Sequence, residues 1–146
     1  MGISGELKAL TVDAVDENLN TVQDFVEEML ESAGAQMRTI TTVAIAVEEM
    51  FVNVAHYAYK DRTGDVTVEA GIVPTDDAVS PRAIRIRLTD SGIPYDPLAK
   101  EDPDITLSAE ERSIGGLGIY MVKKSMDHVS YEYRDGHNIF TMEKRF

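Results

Sequence analysis

The chain contains no cysteine, which excludes disulfide staples and thiolate metal sites together. Its 146 residues must therefore be held by an apolar core, which one domain of this length can bury without staples. Histidine is scarce, and His56, His128 and His137 stand at no ligand-like spacing, so a zinc site is not expected. No run of eighteen apolar residues occurs, and the first ten residues lack the basic start and apolar centre of a signal peptide. The expectation is a cytoplasmic protein with no membrane partner. Positive charge is also short, with 14 basic against 26 acidic side chains and a formal charge of −12. Nucleic-acid phosphates would be repelled on average, so no direct nucleic-acid contact is expected, while a basic protein partner stays open. The alternative is that the acids do no more than keep the chain soluble. The lysine-bearing GxxxxGK[ST] loop is missing as well, which excludes a P-loop enzyme.

The residues that are present divide into periodic stretches. Glu6 to Val15 is strand-like through Leu7, Ala9, Thr11 and Val12. A helix follows, capped by Asp16 or Asn18, with Leu19, Val22, Phe25, Val26, Met29 and Leu30 at helical spacing until Gly34. A second helix runs from about Gln36 to Tyr59 on a stripe of Ile40, Val43, Ala44, Val47, Met50, Phe51, Val54 and Ala58. Val66, Val68, Ala70 and Ile72 alternate as a strand, residues 74 to 81 form a loop, and Ala83 to Leu88 pairs back. After a glycine-led helix come strands from His128 to Arg134 and from His137 to Phe146, joined by the turn signal Asp135-Gly136. This order predicts an α/β two-layer sandwich, with helices on one face of a mixed, mostly antiparallel sheet. No internal repeat interrupts it, and residues 1–146 read as one domain.

Three places carry chemistry. On the second helix Glu49 and Asn53, four residues apart, fall together on one flank of the buried stripe. A carboxylate beside a carboxamide can hold a divalent cation through oxygen or activate a hydroxyl, and it can equally be a solvated pair of no consequence. Asp90 stands where the strand of Ile84, Ile86 and Leu88 stops, and Ser91-Gly92 after it allows a sharp turn and close approach of a flat ligand. Gly115, Gly116 and Gly118 run into a helix whose N-terminal NH groups suit a phosphate. Between the second and third places lies a polar, proline-interrupted connection of lid length. Each feature alone is weak. Their order carries the reading.

Glu49-x-x-x-Asn53, Asp90-x-Gly92, the lid and Gly116-x-Gly118 resemble the N, G1 and G2 boxes of the histidine-kinase-like (GHKL, Bergerat-fold) ATPases. Within that superfamily, EEMFVNVAHYAYK, DSGIPYDPL and EERSIGGLGIYMVKKSMD are most similar to the anti-sigma factor serine kinases, from about Met37 to the C-terminus. The resemblance implies ATP and Mg2+ as cofactors. It makes Asn53 the magnesium ligand and Glu49 the base for a serine hydroxyl or a water. Asp90 would accept from the adenine amino group, with Gly92 giving the base room. Gly115, Gly116, Leu117 and Gly118 would meet the phosphates, with Arg112 and Ser113 in the lid over them. The implied partners are a small anti-sigma antagonist protein, a sigma factor and a second copy of the chain in a homodimer. An ATP-dependent binding module and an ATP-hydrolysing switch, neither transferring phosphate to protein, are the alternatives. A histidine autokinase is not expected, since no segment with a phospho-acceptor histidine is seen. Two positions depart from the family pattern. Tyr57 stands where a histidine is usual, with His56 one residue early, and Gly136-His137-Asn138 replaces a Gly-Thr, which leaves the support of Asp90 unassigned.

Overall fold

A computed structural model describes residues 5–60, 62–99 and 117–146, with the backbone alone of Leu117. Five strands, β1 (Lys8–Asp13), β2 (Asp65–Pro74), β3 (Arg82–Asp90), β4 (His128–Arg134) and β5 (His137–Arg145), form one sheet in the order β1-β2-β3-β5-β4. All four pairings are antiparallel. Three helices, α1 (Leu19–Ser32), α2 (Met37–Tyr57) and α3 (Leu117–Ser125), complete the second layer, with α2 touching both others.

The two-residue alternation of the strands decides which face the helices cover. Val66, Val68 and Ala70 of β2, Ile84, Ile86 and Leu88 of β3, and Phe140 and Met142 of β5 are buried and join one cluster with Val22, Val26 and Leu30 of α1 and Val43, Val47 and Phe51 of α2. Residues between them point the other way. On that open face Thr11 meets Thr67 at 2.8 Å, Arg87 stands 3.7 Å from Glu69, and Arg85 stands 3.4 Å from Glu143. Such half-exposed pairs favour solubility and add little stability.

Some local details differ from the expectation. A 3₁₀ turn over Asp16–Asn18 precedes α1, and the Asn18 side chain does not cap the helix but donates to the Asp13 carbonyl at 2.9 Å. The buried stripe of α2 includes Ala46, whereas Ala44 and Val54 are half-buried. Val54 is open because it borders a cleft. Among the described residues no helix is long and apolar enough to cross a membrane.

Candidate functional site

Asp90 ends β3 on the same face as Ile84, Ile86 and Leu88, so the alternation carries a carboxylate onto the apolar side of the sheet. Its partner in register is Asn138, the second residue of β5, on that strand's buried face with Phe140 and Met142. β5 begins straight after the β4–β5 turn, where Asp135 and Gly136 have φ of 53° and 81°, the left-handed pair of a two-residue hairpin turn. Asp90 and Asn138 are the only buried polar or charged side chains among the described residues, and they bond to each other.

The geometry of that pair is one-sided. Oδ1 of Asp90 accepts from the Gly92 NH at 2.8 Å and from Nδ2 of Asn138 at 2.9 Å, and Oδ2 takes no hydrogen bond from the described residues. Asn138 is used to capacity: Nδ2 also donates to the Ile93 carbonyl at 2.8 Å, and Oδ1 accepts from the Tyr95 NH at 3.1 Å and from the Tyr131 hydroxyl. Burial above all, with the nearby charges of Asp96 and Asp90 adding to it, pushes the Tyr131 phenol up, so its hydroxyl remains a donor. A buried polar group that is fully bonded has one orientation. The network therefore aims Asp90 with its second oxygen turned to whatever enters.

The turn after Asp90 is clamped onto the end of α2. The Ile93 NH donates to the Ala58 carbonyl at 3.0 Å, and a Cβ at Gly92 would lie 2.2 Å from that same carbonyl oxygen. The glycine is thus required by the helix end itself, whatever room it also gives a ligand. The Tyr59 hydroxyl bridges the clamp, donating to the Asp65 carbonyl at 2.6 Å and accepting from the Ser91 NH at 2.8 Å, while Arg62 donates to the Ser91 carbonyl at 2.9 Å.

Between this turn, α2 and the ends of β3 and β5 lies a cleft with a mostly apolar wall that includes Met50, Val54, Leu88, Ile93 and Phe140. Asn53 and Asp90 both border it. A slot of apolar walls with a single outward acceptor suits a flat heteroaromatic ring that carries an amino group. Tyr57 lines the cleft too, although it is 55% exposed. His56 turns away and meets the Asp16 carboxylate at 2.8 Å on the surface.

One turn before Asn53, Glu49 is half-buried while Glu48 is exposed. A Cβ at Gly118 would lie 1.8 Å from Oε1 of Glu49, so the carboxylate sits directly against the bare first turn of α3. The structure thus brings Glu49 beside Gly118, and places Asn53 and Asp90 on the wall of one cleft. Among the described residues no group of three or more His, Asp or Glu could hold a metal; Asn53 and Glu49 together suit a cation bound chiefly through phosphate oxygens. The expected lid, with Arg112 and Ser113, and the glycines Gly115 and Gly116 lie outside the described residues, as does the side chain of Leu117. Sequence reasoning left the partner of Asp90 open; it is Asn138, placed opposite by the long-range β3–β5 pairing, which no local turn signal fixes.

Comparison with known proteins agrees with this architecture. The family model described as histidine kinase-like ATPase domain matches residues 12–144. The chain is similar to the protein named serine-protein kinase RsbW of Listeria monocytogenes, at 29% identity over 109 residues, 71% of this chain and 65% of the relative. It is similar to the protein of the same name from Bacillus cereus at 27% over 101 residues, 66% of this chain and 59% of the relative. The chain thus spans under two thirds of the length of these curated relatives. In fold it resembles the crystal structure of the RsbU and RsbW domains of Rv1364c from Mycobacterium tuberculosis, with a TM-score of 0.63 at 19% identity, over 96% of this chain and 32% of that one.

Proposed function

We propose that this chain, which belongs to the histidine kinase-like ATPase domain family, is in its whole length one such domain and works as an ATP-dependent protein serine kinase and anti-sigma factor. Its substrate would be a serine on a small antagonist protein, and its second partner a sigma factor, in the cytoplasm and as a homodimer. The observation that carries the nucleotide reading is the oriented Asp90–Asn138 pair at the end of an apolar cleft that Asn53 borders. The kinase reading draws on the relatives named serine-protein kinase and on the seat of Glu49 against Gly118.

The roles of the chain's own residues follow from their chemistry. Asp90 accepts from the adenine amino group and excludes a base that presents a carbonyl there, because two acceptors would face each other without water. Leu88, Ile93 and Phe140 exclude water from the ring. Asn53 offers a neutral oxygen to magnesium, and the NH groups that open α3, including that of Gly118, face developing negative charge. ATP supplies the transferable phosphoryl group. Glu49 takes the proton of the serine hydroxyl, whose oxygen bonds to the terminal phosphorus as ADP leaves.

Incubation with labelled ATP, with and without a serine-bearing antagonist protein, separates the possibilities. Label appearing on the antagonist's serine supports the kinase. Release of free phosphate alone points to a hydrolysing switch, and binding without either points to a nucleotide-dependent binding module.

A variant probes the metal role. Asn53→Ala removes a side chain from the cleft wall without opening the core, since Asn53 is only half-buried. Magnesium-dependent ATP binding should weaken by about tenfold or more, the worth of one contact to a charged group, with melting unchanged. Calorimetry giving parental affinity in magnesium would remove Asn53 from the site.

A further inference from the structure

Basic side chains are outnumbered 26 to 14 in this chain, yet five of them, Arg38, Arg82, Lys124, Lys144 and Arg145, line one cleft of about 700 Å³ that no Asp or Glu among the described residues lines. It lies at the opposite end of the sheet from the nucleotide cleft, because Arg82 is the first residue of β3 and Asp90 the last, roughly 25 Å apart along an extended strand.

The five are not equally available. Arg145 is 3.6 Å from Asp77 and 3.4 Å from Asp127, and Lys144 is 3.8 Å from Asp127. Arg82 is held in place without a carboxylate, donating to the Ala33 carbonyl at 2.6 Å with its guanidinium 4.5 Å from the centre of the Phe146 ring. Arg38 and Lys124 are exposed and make no ion pair with the described residues. Helix α2 opens into the same cleft; its N-cap Gln36 makes no side-chain cap and its first turn holds no acid, so the positive end of a 21-residue helix adds to the field.

We propose that this cleft docks an acidic segment of a partner protein, its carboxylates shared among Arg38, Arg82 and Lys124. Three cations from α2, β3 and α3 match several carboxylates along a peptide better than one compact anion. The rest of the molecule selects among polyanions: with a net charge of −12, a nucleic acid running beyond the cleft meets repulsion, whereas a short acidic segment ends inside it. Nothing here depends on nucleotide binding, so either reading can fail alone.

The test is fluorescence anisotropy with a labelled oligoglutamate peptide on the intact chain. The parent should bind at low salt and release as salt is raised. Arg38→Glu with Lys124→Glu should weaken binding at least about tenfold, because two attractions become repulsions. Both positions are exposed, and the milder pair Arg38→Ala with Lys124→Ala, checked by melting, guards against misfolding and should give a smaller loss. No binding by the parent, or equal binding by both double variants, overturns the proposal. An oligothymidylate of matched charge binding as tightly makes it a general polyanion site, and displacement of the peptide by sub-millimolar inorganic phosphate makes it a phosphate site. Either result overturns the assignment to an acidic protein.

Discussion

Glu49→Gln should lower the rate of phosphoryl transfer by about a hundredfold to ten-thousandfold, the usual worth of a positioned general base, while leaving ATP affinity close to the parent's. The substitution preserves shape, and Glu49 does not border the cleft that would take the base, so ground-state binding has little to lose. Its neighbour supplies the control. Glu48 is exposed and lies around α2 from Asn53, and Glu48→Gln should be silent in the same assay. Single-turnover measurements with saturating ATP distinguish the two. If Glu48→Gln abolished transfer and Glu49→Gln did not, the catalytic carboxylate would have to be rebuilt on the outer face of the helix. The contact with Gly118 adds a second handle, since a methyl group there must displace the Glu49 carboxylate and should impair transfer with it.

The second large effect concerns the orientation of position 90. In Asp90→Asn the amide has a choice of two flips, and the surrounding bonds decide between them. Its oxygen must stay where Oδ1 is now, because the Gly92 NH and the Asn138 amide both donate to that point. The new NH2 group is then turned into the cleft, where a donor faces the adenine amino group. A mismatched buried hydrogen bond costs about 1–3 kcal/mol, roughly tenfold to a hundredfold in affinity for ATP. Asn138→Ala loosens the same carboxylate without changing its charge, so it should cost less. The double variant should cost less than the sum of the two, as expected for residues in one network. Calorimetric titration of all three with ATP checks this, and strictly additive losses would mean that Asn138 does not orient Asp90.

How much of this could be read beforehand depends on the range of the interaction. The elements were legible because their signals are local: alternation in Ile84-Arg85-Ile86-Arg87-Leu88, helical spacing in α1 and α2, and Asp135-Gly136 at the hairpin. The flank shared by Glu49 and Asn53 was legible for the same reason, since four residues of helix fix it, and both are half-buried. What escaped was long-range. The hold of Asn138 on Asp90 joins residues 48 apart in sequence, and the clip from Tyr59 to Ser91 joins residues 32 apart. Neither hydroxyl nor amide announces its partner until the strands are laid side by side. The place of Gly92 was legible as a turn, but its collision partner, the Ala58 carbonyl, belongs to the end of another helix.

The tight β4–β5 hairpin bears on how such a chain can change over generations. Most side chains on the open face of β5 can be exchanged at little cost, because their half-exposed polar pairs add little stability. Length is another matter. One residue added to the Asp135-Gly136 turn and absorbed as a slip of β5 would send Asn138, Phe140 and Met142 to the open face together. Asp90 would lose its brace and the core two of its members in one event. Lineages of this domain should therefore accumulate substitutions in the last hairpin far more readily than insertions or deletions.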